Sequence, residues 1–150
     1  MVPVMTVSKF ERFFRAAAGL DVDKKDLKRY SDFVNQKTYD LLLRGRAAAT
    51  DNGRDIIQPS DLPVTKGLQE SMHEFRKLDE AIELTSILEY IAELPPLNVT
   101  YSTDTEAELP RVVGGLSVAL ARSFTVLDPK LKNPQTRHWQ QVFRIFGLLL

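Results

Sequence analysis

Gly53-Arg54-Asp55-Ile56-Ile57-Gln58-Pro59-Ser60-Asp61-Leu62 is the stretch on which the reading of this chain turns. Asn52-Gly53 stops the apolar-periodic run that precedes it. Arg54 to Gln58 then reads as a tight extended segment. Pro59 suits the first position of a new helix, where its missing N–H costs nothing, with Asp61 in the first turn. Pro63 complicates this start, because deep in a helix it removes a hydrogen bond and clashes with the preceding turn. Either the Pro59–Leu62 turn stands apart, or the next helix begins at Pro63.

Upstream, Leu27, Tyr30, Val34, Thr38, Leu41 and Leu42 recur at steps of three and four, and Ala47 to Ala49 continue them. Asp23 is a plausible N-cap and Asp26 a favourable first-turn charge. The spacing predicts one helix of roughly 28 residues, about 42 Å long, with Gly45 tolerated inside it at about 1 kcal/mol. A helix that long must bury its stripe against other elements. Before it, Ser8-Lys9-Phe10-Glu11 reads as a capping box for a short helix over 9–18, carrying Phe10, Phe13, Phe14 and Ala17 and ending at Gly19.

Downstream, the pattern predicts a helix over 64–77 with Leu68, Met72 and Phe75 on one face. Another comes after it over 81–93 with Leu84, Ile87, Leu88, Ile91 and Leu94 as its stripe, ended by Pro95-Pro96. Asn98 to Tyr101 reads as a short strand and Thr103-Asp104-Thr105-Glu106 as a second capping box. The helix after it carries Leu109, Val112, Val113, Leu116, Leu120, Phe124 and Leu127, with Pro110 and Gly114-Gly115 marking a kink or a close crossing of two long helices. Asp128-Pro129-Lys130-Leu131-Lys132 is a loop. Residues 134–147 form a last helix with Trp139, Val142, Phe143 and Phe146 inward. Short helix, strand-like loop, long helix, strand-like loop, short helix therefore occurs twice, a repeat of about 70 residues.

With 150 residues, 43% hydrophobic and 27% charged, the chain fits one globular domain. It has no cysteine, which excludes a disulfide scaffold or thiolate metal site and suits a reducing cytoplasm. The longest apolar stretch, Val112 to Ala121, is about half a membrane span, and no basic segment followed by an apolar run opens the chain. No membrane association is expected. The net charge is zero but unevenly spread. Residues 1–66 carry twelve Lys/Arg against nine Asp/Glu, residues 67–109 two against ten, and residues 110–150 six against one. Any nucleic-acid binding must therefore come from a local patch.

The ten-residue stretch resembles the second loop and third-helix start of histones, where an Arg after the long helix bonds an Asp seven residues on. By that analogy Arg54 pairs with Asp61 as a structural clamp. Through Lys9-Phe10-Glu11-Arg12-Phe13-Phe14, Asn52-Gly53-Arg54-Asp55, Thr65-Lys66-Gly67-Leu68-Gln69-Glu70 and Gly114-Gly115-Leu116-Ser117, nearly the whole chain resembles a bacterial family of single-chain, two-histone-fold proteins of unknown function. The resemblance implies an all-α fold in one compact domain over 1–150. A first histone unit (6–77) and a second (78–150) would form an intramolecular handshake pseudo-dimer. The second unit lacks the Arg–Asp clamp, with Asp128-Pro129-Lys130 in its place. Linking the units makes the partner intramolecular, so the chain is expected to be stable without a second histone-fold subunit.

Histone pairs contact phosphates through paired loops and first-helix N-termini. The resemblance implies one basic edge, Lys24 and Lys25 beside Lys130 and Lys132, with Lys9, Arg12 and Arg15 between the edges, meeting Glu80 and Glu83 of the counterpart helix. The opposite edge joins Arg54 to residues 98–104 and adds no basic residue. The expected function is weak, sequence-independent binding of double-stranded DNA by a cytoplasmic, nucleoid-associated protein. The alternative is a structural module that binds another protein or itself and no DNA. No enzyme, cofactor, metal or small-molecule substrate is expected. Gly115-Leu116-Ser117-Val118-Ala119 resembles a nucleophile elbow, but Ser117 falls mid-helix with no sheet beside it. His73 with Glu70 and Glu74 reads as a solvated helix face, as do the carboxylates Glu80/Glu83 and Glu89/Glu93. No phosphate-binding glycine loop occurs.

Overall fold

A computed structural model describes residues 5–82 and 100–149. Its elements are α1 (Val7–Ala18), α2 (Lys24–Asp51), β1 (Ile56–Ile57), a 3-10 turn (Pro59–Asp61), α3 (Lys66–Ile82), β2 (Thr100–Tyr101), α4 (Thr103–Leu127) and α5 (Thr136–Leu149). The protein is mostly helical, as the periodicity predicts. No helix among the described residues is long and apolar enough to cross a membrane.

Helix α2 has the predicted 28 residues. Asp23 caps it by accepting from the Lys25 N–H, and Asp26 returns a bond to the Asp23 N–H at 3.1 Å. Asn52 ends it, and Gly53 takes the left-handed φ of 70° that turns the chain into β1. The Pro59 turn stands apart from α3, which begins only at Lys66, capped by the Thr65 hydroxyl accepting from the Leu68 N–H. Pro63 thus falls in the connection, where its lost donor is harmless.

Several predicted boundaries move. The cap of α1 is Thr6, which accepts from the Lys9 N–H, and not Ser8. Met5, just before the cap, and Phe10, at the fourth helical position, are both buried, in the two places of a hydrophobic staple that fixes where the chain enters. The cap of α4 is Ser102, one residue ahead of the predicted Thr103. Thr105 then sits in the first turn with its hydroxyl donating to the Ile57 carbonyl at 2.7 Å. Helix α3 runs unbroken through 77–78 to Ile82, so the helix expected to start at Ala81 has no separate start there. Helix α5 starts at Thr136, two residues after Pro134, and reaches Leu149. Residues 83–93 of the helix predicted over 81–93, with its stripe, and Pro95-Pro96, Asn98 and Val99 lie outside the described residues.

The chain's two halves meet at both ends of the long helices. At one end β1 pairs with β2 in parallel, Ile56 opposite Thr100 and Ile57 opposite Tyr101. At the other, the Asp21 N–H donates to the Lys132 carbonyl at 2.6 Å. Helix α2 runs from the second end to the first, and α4 runs back. Between them the Ser117 hydroxyl donates to the Val113 carbonyl, so the Tyr30 hydroxyl donates to Ser117 at 2.6 Å. Burial drives the Tyr30 phenol far above its ordinary range, although the bond to Ser117 pulls the other way. Ser117 is a buried polar pin between the two long helices.

Helix α4 continues through Pro110, and its glycines admit α3 rather than the other long helix. A Cβ on Gly114 would lie 2.2 Å from the Phe75 ring, and one on Gly115 would lie 2.5 Å from Met72 Cγ. The aromatic core closes around Trp139, whose ring lies 4.8 Å from Phe124, 5.6 Å from Phe143 and 5.8 Å from Phe14.

Candidate nucleic-acid interface

The bond from Asp21 to Lys132 ties the loop before α2 to the loop before α5. Lys24 and Lys25 follow the first loop, and Lys130 and Lys132 lie on the second. All four are exposed and none forms an ion pair with a described residue. Two of the acids nearby bond the backbone. Asp23 accepts from the Lys25 N–H, and Asp128 from the Lys130 N–H.

Beside these lysines lies an open groove of about 790 Å³. Val7, Lys24 and Thr136, the first residues of α1, α2 and α5, all line it. Three helix N-termini, each with the positive end of its macrodipole, therefore converge on one concavity. Caps spend part of this field, Thr6 on α1 and the Asp23/Asp26 pair on α2. At α5 the cap is different. His138 Nδ1 accepts from the Gln135 N–H at 2.8 Å, so its proton sits on Nε2. The N–H groups of Thr136 and Arg137 have no side-chain acceptor among the described residues, and that terminus stays open to an anion. Glu11 and Asp21 also line the groove, Asp21 in an ion pair with Arg15.

Asp26 forms the groove's inner wall and is buried. Burial raises its carboxyl above the ordinary value, outweighing the Asp23 N–H bond and the Arg29 guanidinium, which lower it. The Trp139 indole N–H is close enough to favour the charged form, but it makes no hydrogen bond of proper geometry.

The other predicted residues are dispersed. Arg12 is exposed on α1, Lys9 is half-buried, and Arg15 is partly engaged by Asp21 at 3.4 Å. None of the three lines the groove. Their meeting with Glu80 and Glu83 lies outside the described side chains.

Arg54 is held on the far end. Its guanidinium grips Asp61 with two bonds, 2.6 and 2.7 Å, and donates to the Ile56 carbonyl. Asp61 also accepts from the Gln58 N–H at 2.7 Å. These bonds, Arg54 first, hold the Asp61 carboxyl down at about 2. The folded value is depressed, so this contribution is complete above the ordinary carboxylate range near pH 4 and is lost as pH falls toward 2. In acid titrations followed by circular dichroism, Asp61→Asn is expected to be less stable than the parent at neutral pH. Its deficit should shrink as pH falls below about 4, and a deficit constant across that range would refute the clamp's role.

His73, Glu70 and Glu74 share a shallow surface hollow, where Glu74 is engaged by Lys77 and Arg122. Among the described residues no three His, Asp or Glu side chains are grouped to hold a metal ion.

A family model described as a domain of unknown function, DUF1931, matches residues 10–147. The chain belongs to the DUF1931 family. Two uncharacterized proteins of Aquifex aeolicus (strain VF5) are similar to this DUF1931 chain. One is 30% identical over 72% of the chain and 63% of the relative. The other is 32% identical over 60% and 55%. The matched part thus spans less than two thirds of either relative. A crystal structure of a Thermus thermophilus protein superposes with a TM-score of 0.89 at 53% identity, covering 98% of this chain and 99% of that one. The crystal structure of protein AQ328 from Aquifex aeolicus superposes with a TM-score of 0.81 at 25% identity, covering 96% and 95%. The DUF1931 fold is thus shared at near-full length.

The convergence of three helix starts on the Lys24/Lys25 groove is the feature the sequence reading missed. Each cap is local, but their meeting depends on the Asp21–Lys132 contact, which no spacing announces.

Proposed function

We propose that this chain is a tandem histone fold that binds double-stranded DNA weakly and without sequence preference through one basic edge. The pairing of the two halves supports the fold reading. The loop before α2 meets the loop before α5, and the strand after α2 meets the strand before α4, as two handshaking units require. The observation that carries the function is the groove itself. Lys24 and Lys25, without ion partners among the described residues, line it beside the open N-terminus of α5, and Lys130 and Lys132 stand on the loop that leads into that helix. Charge and N–H donation together take phosphate oxygens there, although Glu11, Asp21, Asp23 and Asp26 share the lining. The contacts proposed are to the phosphate backbone.

The second edge adds no phosphate contact, so about four neutralised phosphates set the affinity and its salt slope, about −3.6. A labelled duplex of about 30 base pairs is expected to bind in the micromolar range at about 50 mM salt, and more than about 100-fold more weakly at about 200 mM. Changing Lys24, Lys25, Lys130 and Lys132 to Ala should abolish binding. Absence of binding at the lower salt would leave the other reading, a protein-interaction module, in its place.

A further inference from the structure

The two ends of the long helices carry opposite charge. In the stretches around β1 and β2, residues 51–61 and 100–108, Arg54 is the one cation among six acids, and Asp61 neutralises it at 2.6 Å. Glu108 is paired with Arg111. Asp51, Asp55, Asp104 and Glu106 remain, all exposed and none in an ion pair among the described residues. In their midst Ile56, on the two-stranded bridge, keeps 44% of its surface in water. At the opposite end stand Lys24, Lys25, Lys130 and Lys132, also exposed and unpaired among the described residues, beside Asp21, which Arg15 engages, and Asp23 and Asp128, which accept backbone N–H bonds. Helix α2 separates the ends by about 42 Å, four Debye lengths at about 0.1 M salt. Within one molecule the two sets therefore do not neutralise each other.

We propose that the acidic end, built on Asp55, Ile56, Asp104 and Glu106, docks the basic end of a second copy of this chain, giving head-to-tail association. Three carboxylates, with Asp51 close by, face four ammonium groups across such a contact. Between two like ends, by contrast, the charges repel. The pairing is heterologous, since the two surfaces are different, so copies join in open chains or close into rings rather than stopping at a two-fold dimer. Exposed ion pairs contribute little each, so the contact is weak and salt-sensitive, with Ile56 as its apolar centre. The same lysines serve DNA and the neighbouring copy, so the two compete. The docking itself does not rest on DNA binding.

Sedimentation equilibrium of the full chain tests this. At about 10 mM salt the weight-average mass should rise above the 17.0 kDa monomer with concentration, and at about 1 M salt it should return to it. Two charge-reversed proteins sharpen the test. One carries Asp55→Lys, Asp104→Lys and Glu106→Lys, and the other Lys24→Glu, Lys25→Glu, Lys130→Glu and Lys132→Glu. Each alone should be monomeric, and an equimolar mixture should associate again. Neutral replacements (Asp55→Asn, Asp104→Asn, Glu106→Gln) should weaken association and guard against misfolding of the reversed set. A chain that stays monomeric at low salt, or reversed variants that associate as the parent does, would overturn the proposal. DNA titration of the acid-end variant separates the two readings, because it retains every lysine of the basic edge.

Discussion

Gly114→Ala is expected to destabilise the protein by about 2 kcal/mol, although the same exchange in an open helix stabilises. Alanine exceeds glycine by about 1 kcal/mol in helix propensity, so the sign of the effect reports the surroundings. Here the added methyl would sit 2.2 Å from Phe75 Cγ and Cδ2. Cγ is anchored by the α3 backbone and has no far end to swing away. The helices must separate, and a packed interior does not yield by a methyl's width without loss. Gly147 is the control, since a Cβ there meets nothing within 4 Å. Gly147→Ala should leave stability unchanged or raise it slightly. The coupling to Phe75 can be measured directly. Phe75→Ala alone opens a cavity costing about 3 kcal/mol or more, and the double variant should be less damaged than the two single losses added. Urea unfolding followed by circular dichroism reads all four proteins. Gly114→Ala at or above parental stability would mean that α3 and α4 do not cross at this glycine.

The Gly114-Gly115 pair was legible as a close helix crossing, because small residues in the middle of an apolar stripe have few other uses. Its partner was not. Two long helices were expected there, but the site is filled by Met72 and Phe75 of α3, and the long helices meet instead through Tyr30 and Ser117. The length of α2 was legible because both its ends carry local chemistry, Asp23 at the start and Asn52-Gly53 at the stop. The starts of α1 and α4 were not. Thr6, Ser8, Ser102 and Thr103 all have side chains able to cap, and tertiary contacts choose among them. Met5 goes into the core ahead of α1. The Thr105 hydroxyl reaches the Ile57 carbonyl, 48 residues away in sequence, which places Ser102 at the cap. The candidate site divides in the same way. Its lysines could be read from charge. That Asp23 and Asp128 would bond backbone N–H groups rather than pair with those lysines emerges only from the folded loops.

Trp139→Ala should be the most damaging single change, at about 3–5 kcal/mol and roughly 10–15 °C in melting temperature for a chain of this size. The indole is fully buried and touches Phe14 of α1, Phe124 of α4 and Phe143 of its own helix. Its removal therefore withdraws contacts from three helices at once. The cavity has no easy route to collapse, because each wall is pinned elsewhere, α5 by Phe33 stacked on Phe143 at 4.5 Å, α4 by the bond from Tyr30 to Ser117 and α1 by Phe10 against Tyr30 at 5.1 Å. Trp139→Phe separates shape from polarity. It keeps much of the apolar contact and removes an indole N–H that has no acceptor, so part of the loss is offset, because an unsatisfied buried donor carries a desolvation cost of about 1–3 kcal/mol. The consequence reaches the basic edge. Trp139 backs Asp26, whose carboxyl completes the capping box of α2 under Lys24 and Lys25. In Trp139→Ala the start of α2 should loosen, visible as faster amide hydrogen exchange at 24–27 under conditions where the protein stays folded. Unchanged exchange there, with melting lowered as expected, would show that the tryptophan stabilises the core without shaping the edge.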